Sequence, residues 1–154
     1  FTIPLSEELK YVKFYSYLQR IRFEDRISIN FHIDAGLDSY KVPVFCIQTL
    51  VENAYVHGLE PKESSGELNI YLYEKYEYLH ISIEDNGIGF NEIPDFNNHA
   101  PSSEESGTSK GHTHVGLRNL NRRLILMYGP ECALHIESTS MVKTAISFKI
   151  PCEK

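Results

Sequence analysis

The stretch Gln48-Thr-Leu-Val-Glu-Asn-Ala-Tyr-Val-His-Gly58 decides the fold, because it combines a helical apolar pattern with an asparagine in mid-helix. Apolar side chains recur here at steps of three and four residues, which predicts one buried helix face. That face comprises Val44, Ile47, Leu50, Val51, Ala54 and Tyr55. Asn53 does not belong to this apolar face. An asparagine amide competes with the helix backbone for hydrogen bonds, so an asparagine in mid-helix indicates a functional role. Its side-chain oxygen would be a suitable ligand for Mg²⁺. The alternative is that Asn53 is an ordinary polar residue facing solvent.

Composition sets limits on the class of protein. With 154 residues, of which 42% are hydrophobic and 23% charged, we expect one soluble domain over residues 1–154. The net charge of −6 argues against a nucleic-acid partner, because phosphate-backbone binding requires a basic surface. The three cysteines are widely spaced, which indicates neither a disulfide framework nor a zinc site and favours a cytoplasmic compartment. No apolar run approaches the length of about 18 residues that a membrane span needs, and the non-Met start suggests an excised fragment.

Hydrophobic periodicity predicts the order of helices and strands around that stretch. A helix capped by Ser6 runs to about Phe23, with an apolar stripe of Leu5, Leu9, Val12, Tyr15 or Ser16, Leu18 and Ile21. The helix that carries Asn53 begins at Pro43 and ends at Gly58. Another helix covers residues 114–128. Alternating patterns predict a strand at 26–33 and strand pairs at 67–73 with 78–84 and 133–137 with 144–150.

This order of elements predicts the fold class. Strands grouped in hairpins with helices between them favour an α/β two-layer sandwich, in which helices pack on one face of a mixed β-sheet. Residues 91–113 have no periodicity and are rich in Ser, Asn, Pro, Gly and Glu. A structureless segment of more than about 15 residues in a compact domain is typically a functional lid or disordered. We predict a lid.

Asp85-x-Gly87-x-Gly89 follows a predicted strand directly. A rigid strand can aim the carboxylate at a ligand such as adenine N6, and the glycines allow the backbone to approach closely. An ordinary Asp-Asn-Gly turn is the alternative. A dinucleotide fingerprint is excluded because no third glycine stands at Glu92 and a helix does not follow. The chain also has no P-loop motif.

A second glycine-containing segment, Gly111-His-Thr-His-Val-Gly-Leu117, leads into the last helix. Backbone N–H groups at such a helix entry bind anions, which suits the phosphates of a nucleotide. Lys110, His112 or Arg118 could supply further donors. A flexible hinge with a helix cap is the alternative. A zinc site formed by His99, His112 and His114 is the less favoured one.

The order and spacing of these segments resemble the N box and the two glycine boxes of the GHKL (Bergerat) ATP-binding fold, which histidine kinases share with DNA gyrase, MutL and heat-shock chaperone ATPases. The resemblance covers essentially the whole chain. Four segments resemble one group within this fold more closely, the sensor histidine kinases of the LytS/YesM type. They are Glu7-Glu-Leu-x-x-Val-x-x-Tyr15, Gln19-x-Ile-Arg-Phe-x-Asp-Arg26, Val51-Glu-Asn-Ala-x-x-His-Gly58 and Leu117-Arg-Asn-Leu-x-x-Arg-Arg-Leu124.

The resemblance implies roles for residues at matching positions. Asn53 would bind the Mg²⁺ that bridges the ATP phosphates, and Asp85 would accept a hydrogen bond from adenine N6. Glu52 is a candidate for orienting or deprotonating the acceptor imidazole, so Glu52 and Asn53 are the expected catalytic residues. The residues expected around ATP are Asn53, His57, Asp85, Gly87, Gly89, Lys110, Gly111, His114, Val115, Gly116 and Leu117.

Three positions depart from the patterns of relatives. Val56 stands where related kinases often have a lysine near the phosphates, and His114 stands where many have glycine. The gyrase and chaperone branches activate water with a glutamate four residues before the asparagine, where this chain has Thr49. Without that general base, phosphoryl transfer is favoured over hydrolysis, since transfer depends mainly on positioning and charge neutralisation.

The resemblance therefore implies the catalytic domain of a two-component sensor histidine kinase, which uses ATP and Mg²⁺. Its acceptor histidine belongs to an upstream dimerisation segment, and none of the seven histidines here has the expected context. We expect no autophosphorylation by this fragment alone. The intact protein would be a homodimeric, membrane-anchored sensor with this domain in the cytoplasm and a response regulator as partner. The alternatives are a non-catalytic nucleotide-binding module and an interaction domain that binds no nucleotide.

Overall fold

A computed structural model describes residues 1–96 and 114–154 of the chain. The helices are α1 (Leu5–Arg22), α2 (Cys46–Asn53) and α3 (Val115–Tyr128), with a π-helical segment at Ala54–Leu59 and a 3₁₀ turn at Pro130–Cys132. The strands are β1 (Thr2–Pro4), β2 (Ile27–Ile33), β3 (Lys41–Pro43), β4 (Gly66–Lys75), β5 (Tyr78–Asp85), β6 (His135–Thr139) and β7 (Lys143–Pro151). None of the helices in these two ranges is long and apolar enough to cross a bilayer.

The predicted mixed sheet is confirmed, and it has five strands in the order β2-β4-β5-β7-β6. Strand β2 runs parallel to β4, and the other neighbours are antiparallel. The hairpin between β4 and β5 turns at Tyr76 and Glu77, both of which have positive φ. Sequence periodicity did not reveal the short β1–β3 pair, because three-residue strands are too brief to show alternation.

The core lies between the helices and one face of the sheet. Alternate residues of the central strands are buried, as a period of two requires for a sheet covered on one side. On that face lie Leu68, Ile70, Leu72, Leu79, Ile81, Ile83, Ile146, Phe148 and Ile150. The apolar face predicted for the central helix is confirmed at Ile47, Leu50, Val51, Ala54 and Tyr55, which belong to the same core. Val44, the first residue of the predicted face, lies before α2 and is only partly buried.

The predicted bounds of the central helix are wrong at both ends. Pro43 closes strand β3, and α2 begins only after Phe45, whose left-handed conformation (φ 63°) ends the extended segment. Gly58 does not end the helix but lies inside the π-helical segment, where the Glu60 N–H donates to the Tyr55 carbonyl at 2.7 Å. Apolar spacing could not distinguish this i→i+5 turn from an α-helical one.

The predicted start and stripe of α1 also need correction. Ser6 lies inside the first turn and makes no capping bond; Pro4 is the capping residue. Leu18 and Ile21 are 45% and 60% exposed, whereas Glu8 and Ser16 are buried. The buried face of α1 is therefore set by its contacts rather than by the most apolar side chains.

Arg26 links the start of β2 to the segment that follows the π-helix. Its guanidinium donates to the carbonyls of Leu59 at 3.2 Å and Ser64 at 2.8 Å, and also to that of Lys62. One arginine thus fixes three carbonyls of the connection that follows the π-helix.

Candidate functional site

Asp85 ends strand β5 as a nearly inaccessible carboxylate, with 6% of its surface exposed. Its Oδ1 accepts a hydrogen bond from the Gly87 N–H at 2.9 Å. Burial raises the pKa of Asp85 to about 6, although the Gly87 N–H and the charge of Lys62 oppose the rise. The carboxylate can therefore be ionised at neutral pH and accept hydrogen bonds from a ligand.

Two glycines create the space in which Asp85 lies. A Cβ atom on Gly87 would come within 2.1 Å of the Gly58 carbonyl oxygen, and one on Gly58 would come within 2.6 Å of Asp85 Oδ1. The Ile88 N–H also donates to the Gly58 carbonyl at 2.9 Å. The π-helix and the loop after β5 are therefore in direct backbone contact, which no larger residue permits at either position.

The segment after Gly87 is anchored to the β6–β7 hairpin. The Met141 N–H donates to the Ile88 carbonyl at 3.1 Å, and the Phe90 N–H donates to Ser138 Oγ at 3.3 Å. Gly89 has a φ of +79°, and a Cβ there would lie 3.2 Å from Ser140 Cα. These contacts hold residues 88–90 as one wall of a cleft.

The opposite wall comes from α2 and the π-helix. Asn53, Val56 and His57 face the cleft. The wider π-helical turn changes which residues face it, and such turns occur frequently at functional sites. Glu52 is exposed and does not line the cleft; its carboxylate accepts a hydrogen bond from Gln48 Nε2 at 2.9 Å.

The start of α3 completes the cleft. His114, Val115 and Arg118 line it, whereas Leu117 is buried in the core and Gly116 lies against Thr49, whose Cγ2 would be 3.4 Å from an added Cβ. Among the predicted site residues, Lys110 and Gly111 lie outside the described ranges. So do His99, His112 and most of the predicted lid; its first residues, 91–96, have no regular secondary structure.

The resulting cleft has a volume of about 640 Å³. Of the predicted nucleotide-site residues, it brings together Asn53, His57, Asp85, Gly89, His114 and Val115. Gly87, Gly116 and Leu117 do not line it but support its walls. In the part of the chain that the structure describes, no group of three or more His, Cys, Asp or Glu side chains is arranged to hold a metal ion.

Residues 42–154 match the model of the histidine kinase-, DNA gyrase B- and HSP90-like ATPase family. The chain belongs to this family. The sensor protein LytS of Staphylococcus haemolyticus is 38% identical over 152 residues, which cover 97% of this chain and 25% of that protein. The sensor protein LytS of Bacillus subtilis is 33% identical over 155 residues, covering 99% of this chain and 25% of that protein. This chain thus spans about a quarter of the length of these relatives.

Solved structures of the histidine kinase-like ATPase family have the same fold. The histidine kinase domain of the Erythrobacter litoralis EL346 blue-light activated kinase superimposes with a TM-score of 0.61 at 22% identity, covering 97% of this chain and 65% of that one. The mycobacterial sensor histidine kinase MprB gives a TM-score of 0.60 at 17% identity, covering 99% of each chain. The α/β fold and the family predicted from the sequence are confirmed.

Two histidines of this ATPase-family cleft are shifted towards the neutral form. Burial lowers the pKa of His57, although Glu60 opposes the effect. Burial also lowers the pKa of His114, and the nearby His57 and Arg118 lower it further.

Several residues that line the cleft of this ATPase-family domain were given no site role from the sequence, among them Ile88, Phe90 and Thr144. Thr144 is buried, pairs with Asp85 in the β5–β7 register, and has its Oγ1 2.7 Å from Ser138 Oγ. Its only signal in the sequence is its place at the start of the last predicted strand. Its proximity to Asp85 follows from strand pairing, which one sequence does not specify.

Proposed function

We propose that this domain binds ATP with Mg²⁺ and transfers the γ-phosphoryl group to a histidine in an upstream dimerisation segment of the same protein. One observation carries the proposal: the buried Asp85 carboxylate opens into a cleft whose opposite wall presents Asn53. The domain spans residues 1–154 and acts within a two-component sensor kinase. The LytS relatives, which are named sensor proteins, support this assignment.

Asp85 would recognise the adenine ring. One of its oxygens already accepts from the Gly87 N–H, and a second acceptor position remains on the carboxylate for the N6 amino group. The nearby apolar residues Ile88 and Phe90 would contact the ring, because apolar walls with a few fixed polar groups are typical of nucleotide-sized sites.

Asn53 would contribute its amide oxygen as a ligand of Mg²⁺. A single protein oxygen fits this ion, which usually keeps several waters and takes its remaining ligands from phosphate. When bound, Mg²⁺ neutralises charge on the phosphates during transfer. The backbone N–H groups of Val115 to Leu117 lie at the positive end of the α3 dipole. They would stabilise the negative charge of the ATP phosphates. Lys110 and Gly111 are proposed to contribute there as well.

Transfer rather than hydrolysis is supported by the residue at position 49. Thr49 lies against Gly116 and offers no carboxylate to activate water. Glu52, on the exposed side of α2, is proposed to orient or deprotonate the acceptor imidazole. Its exposure fits an acceptor that arrives from outside the domain.

The partners would be the dimerisation segment, a second protomer of the intact protein and a response regulator. The domain would lie on the cytoplasmic side of a membrane-anchored sensor.

Calorimetric titration with a non-hydrolysable ATP analogue, with and without Mg²⁺, tests the proposal. We expect Mg²⁺-dependent binding in the wild type, loss of the Mg²⁺ dependence in Asn53→Ala, and weak binding in Asp85→Asn. Phosphorylation of a supplied acceptor segment by the wild type, and a slower rate in Glu52→Gln, would then support transfer. Binding without phosphorylation would instead indicate a non-catalytic nucleotide-binding module. No binding at millimolar analogue would overturn the nucleotide assignment.

A further inference from the structure

His114 lies at the junction of three elements that line the cleft. Its ring centroid is 5.5 Å from that of His57 in the π-helix and 5.1 Å from that of Phe90. Its Nδ1 is buried and has no hydrogen-bonding partner among the described residues. A buried ring nitrogen without a partner is unfavourable, so a ligand that supplies a partner would be bound more tightly.

The groups around His114 can carry positive charge, although the net charge of the protein is −6. The groups that act on its ionisation are His57 from the π-helix and Arg118 from α3, and both disfavour a second positive charge. Asp85, Glu92 and Asp95 also line the cleft. His114, His57 and Arg118 thus bring three groups that can carry positive charge to one part of the cleft.

We propose that the His114 imidazole contacts the polyphosphate chain of the nucleotide and takes up a proton when it binds, thereby replacing the lysine absent at position 56. This inference rests on the proposed nucleotide-binding function. A phosphate oxygen beside the ring would favour the imidazolium form, because an anion within hydrogen-bond reach raises the pKa of a histidine. The Phe90 ring, 5.1 Å away, would also stabilise a cation.

The side chain at position 114 would have a role that glycine cannot have. Relatives with glycine there allow the backbone to approach the phosphates, whereas this chain would offer a titratable side chain. The contribution of the phosphates to affinity should therefore increase as the pH falls. Adenosine shares the adenine site but lacks phosphates, so the ratio of ATP-analogue affinity to adenosine affinity isolates the effect from the titration of Asp85.

The test is calorimetric titration of the wild type and His114→Gly with the Mg²⁺-bound ATP analogue and with adenosine, at pH 6 and pH 8. Each titration is repeated in two buffers of different ionisation enthalpy, which reveals proton uptake. In the wild type we expect proton uptake and an affinity ratio about three- to tenfold higher at pH 6, the tenfold limit corresponding to a full pKa unit. His114→Gly should bind adenosine normally but take up fewer protons with the analogue, and its affinity ratio should depend less on pH, because only the exchange at Asp85 and on the nucleotide remains. Val56→Lys in that background should restore analogue affinity without restoring the additional proton uptake.

Two outcomes separate failure of this inference from failure of the proposed function. If both ligands bind but the wild type and His114→Gly show the same pH dependence, the role of His114 is overturned while nucleotide binding stands. If neither ligand binds the wild type, both are overturned. Protonation of the nucleotide itself cancels between the two proteins. His114→Gln keeps a neutral donor and serves as a second variant in case the glycine substitution destabilises the fold. It should also lack the additional proton uptake of the wild type.

Discussion

Asp85 and Glu8 are both buried carboxylates, but their surroundings differ. Asp85 is 6% exposed, accepts a hydrogen bond from Gly87 and opens into the cleft, whereas Glu8 is fully buried between α1 and the start of α2. Neither oxygen of Glu8 has a hydrogen-bonding partner of normal geometry. Burial raises the pKa of Glu8 to about 7, with the Phe45 N–H and Arg123 opposing the rise.

The difference shows that a raised pKa does not by itself mark a binding site. Both carboxylates destabilise the folded chain when ionised, since burial disfavours the charged form. Only Asp85 has an oxygen positioned to reach a ligand. Access, rather than burial, therefore distinguishes the candidate site residue from a structural one.

The largest expected effect comes from closing the space around Asp85. Gly87→Ala places a Cβ 2.1 Å from the Gly58 carbonyl oxygen, so we expect a loss of about 3–4 kcal/mol in the free energy of unfolding. Urea denaturation measures it. Gly36→Ala is the matched control, because Gly36 has a φ of +84° but no atom within 4 Å of an added Cβ. It should cost only about 1 kcal/mol of backbone strain. Equal losses in the two variants would contradict the steric explanation.

Neutralising Glu8 should stabilise the domain in a pH-dependent way. The folded pKa of about 7 lies above the ordinary value of 4.5, so the contribution of Glu8 to stability is most favourable below pH 4.5 and decreases as the pH rises through 7. We expect Glu8→Gln to raise the free energy of unfolding by about 1–3 kcal/mol at pH 8 and to have little effect at pH 4.5. Denaturation at both pH values checks this, with Glu7→Gln as the control, because Glu7 is the neighbouring glutamate and its side chain is 45% exposed.

Neutralising Asp85 should weaken nucleotide binding without lowering the stability of the fold. Losing a hydrogen bond to a charged acceptor weakens binding by about 1.5–3 kcal/mol, so Asp85→Asn should lower ATP-analogue affinity about 10- to 100-fold. The same variant should be no less stable than the wild type at pH 7, because it removes a buried charge whose folded pKa is raised to about 6. Calorimetry and denaturation measure the two effects. Glu84→Gln, on the opposite face of β5 where Glu84 pairs with Lys143 at 3.1 Å, should leave affinity unchanged.

The smallest effect should come from removing the positive charge near Asp85. Lys62 lowers the pKa of Asp85, so Lys62→Met should raise that pKa further. The pH below which the analogue binds poorly should move upward, and affinity at pH 7 should fall about two- to threefold. Affinity measured between pH 5 and pH 8 checks the shift. Lys75→Met, in the distant β4–β5 hairpin, should produce none.

Regular alternation made the sheet predictable, because Leu68, Ile70 and Leu72 have to share one face of a strand. Two departures from these regular patterns, one in burial and one in backbone conformation, were not predictable. Glu8 is buried because of how α1 meets α2, and Phe45 adopts a left-handed conformation that no propensity indicates. Asp85 and the first glycine box were identifiable since a carboxylate and glycines directly follow a strand. The contact between Gly87 and Gly58 was not, because it depends on the π-helix and on the packing of segments that are distant in sequence.

The Arg26 contacts have a consequence for hydrogen exchange. Strand β2 is an edge strand whose backbone partner is β4, and the connection between them contains α2 and the π-helix. Arg26 joins the first residues of β2 to the end of that connection through the Leu59 and Ser64 carbonyls. Opening of the edge strand at its start would therefore break contacts with the end of the π-helix, which carries His57. A bound nucleotide would slow the exchange of β2 amides, although no residue of β2 lines the cleft.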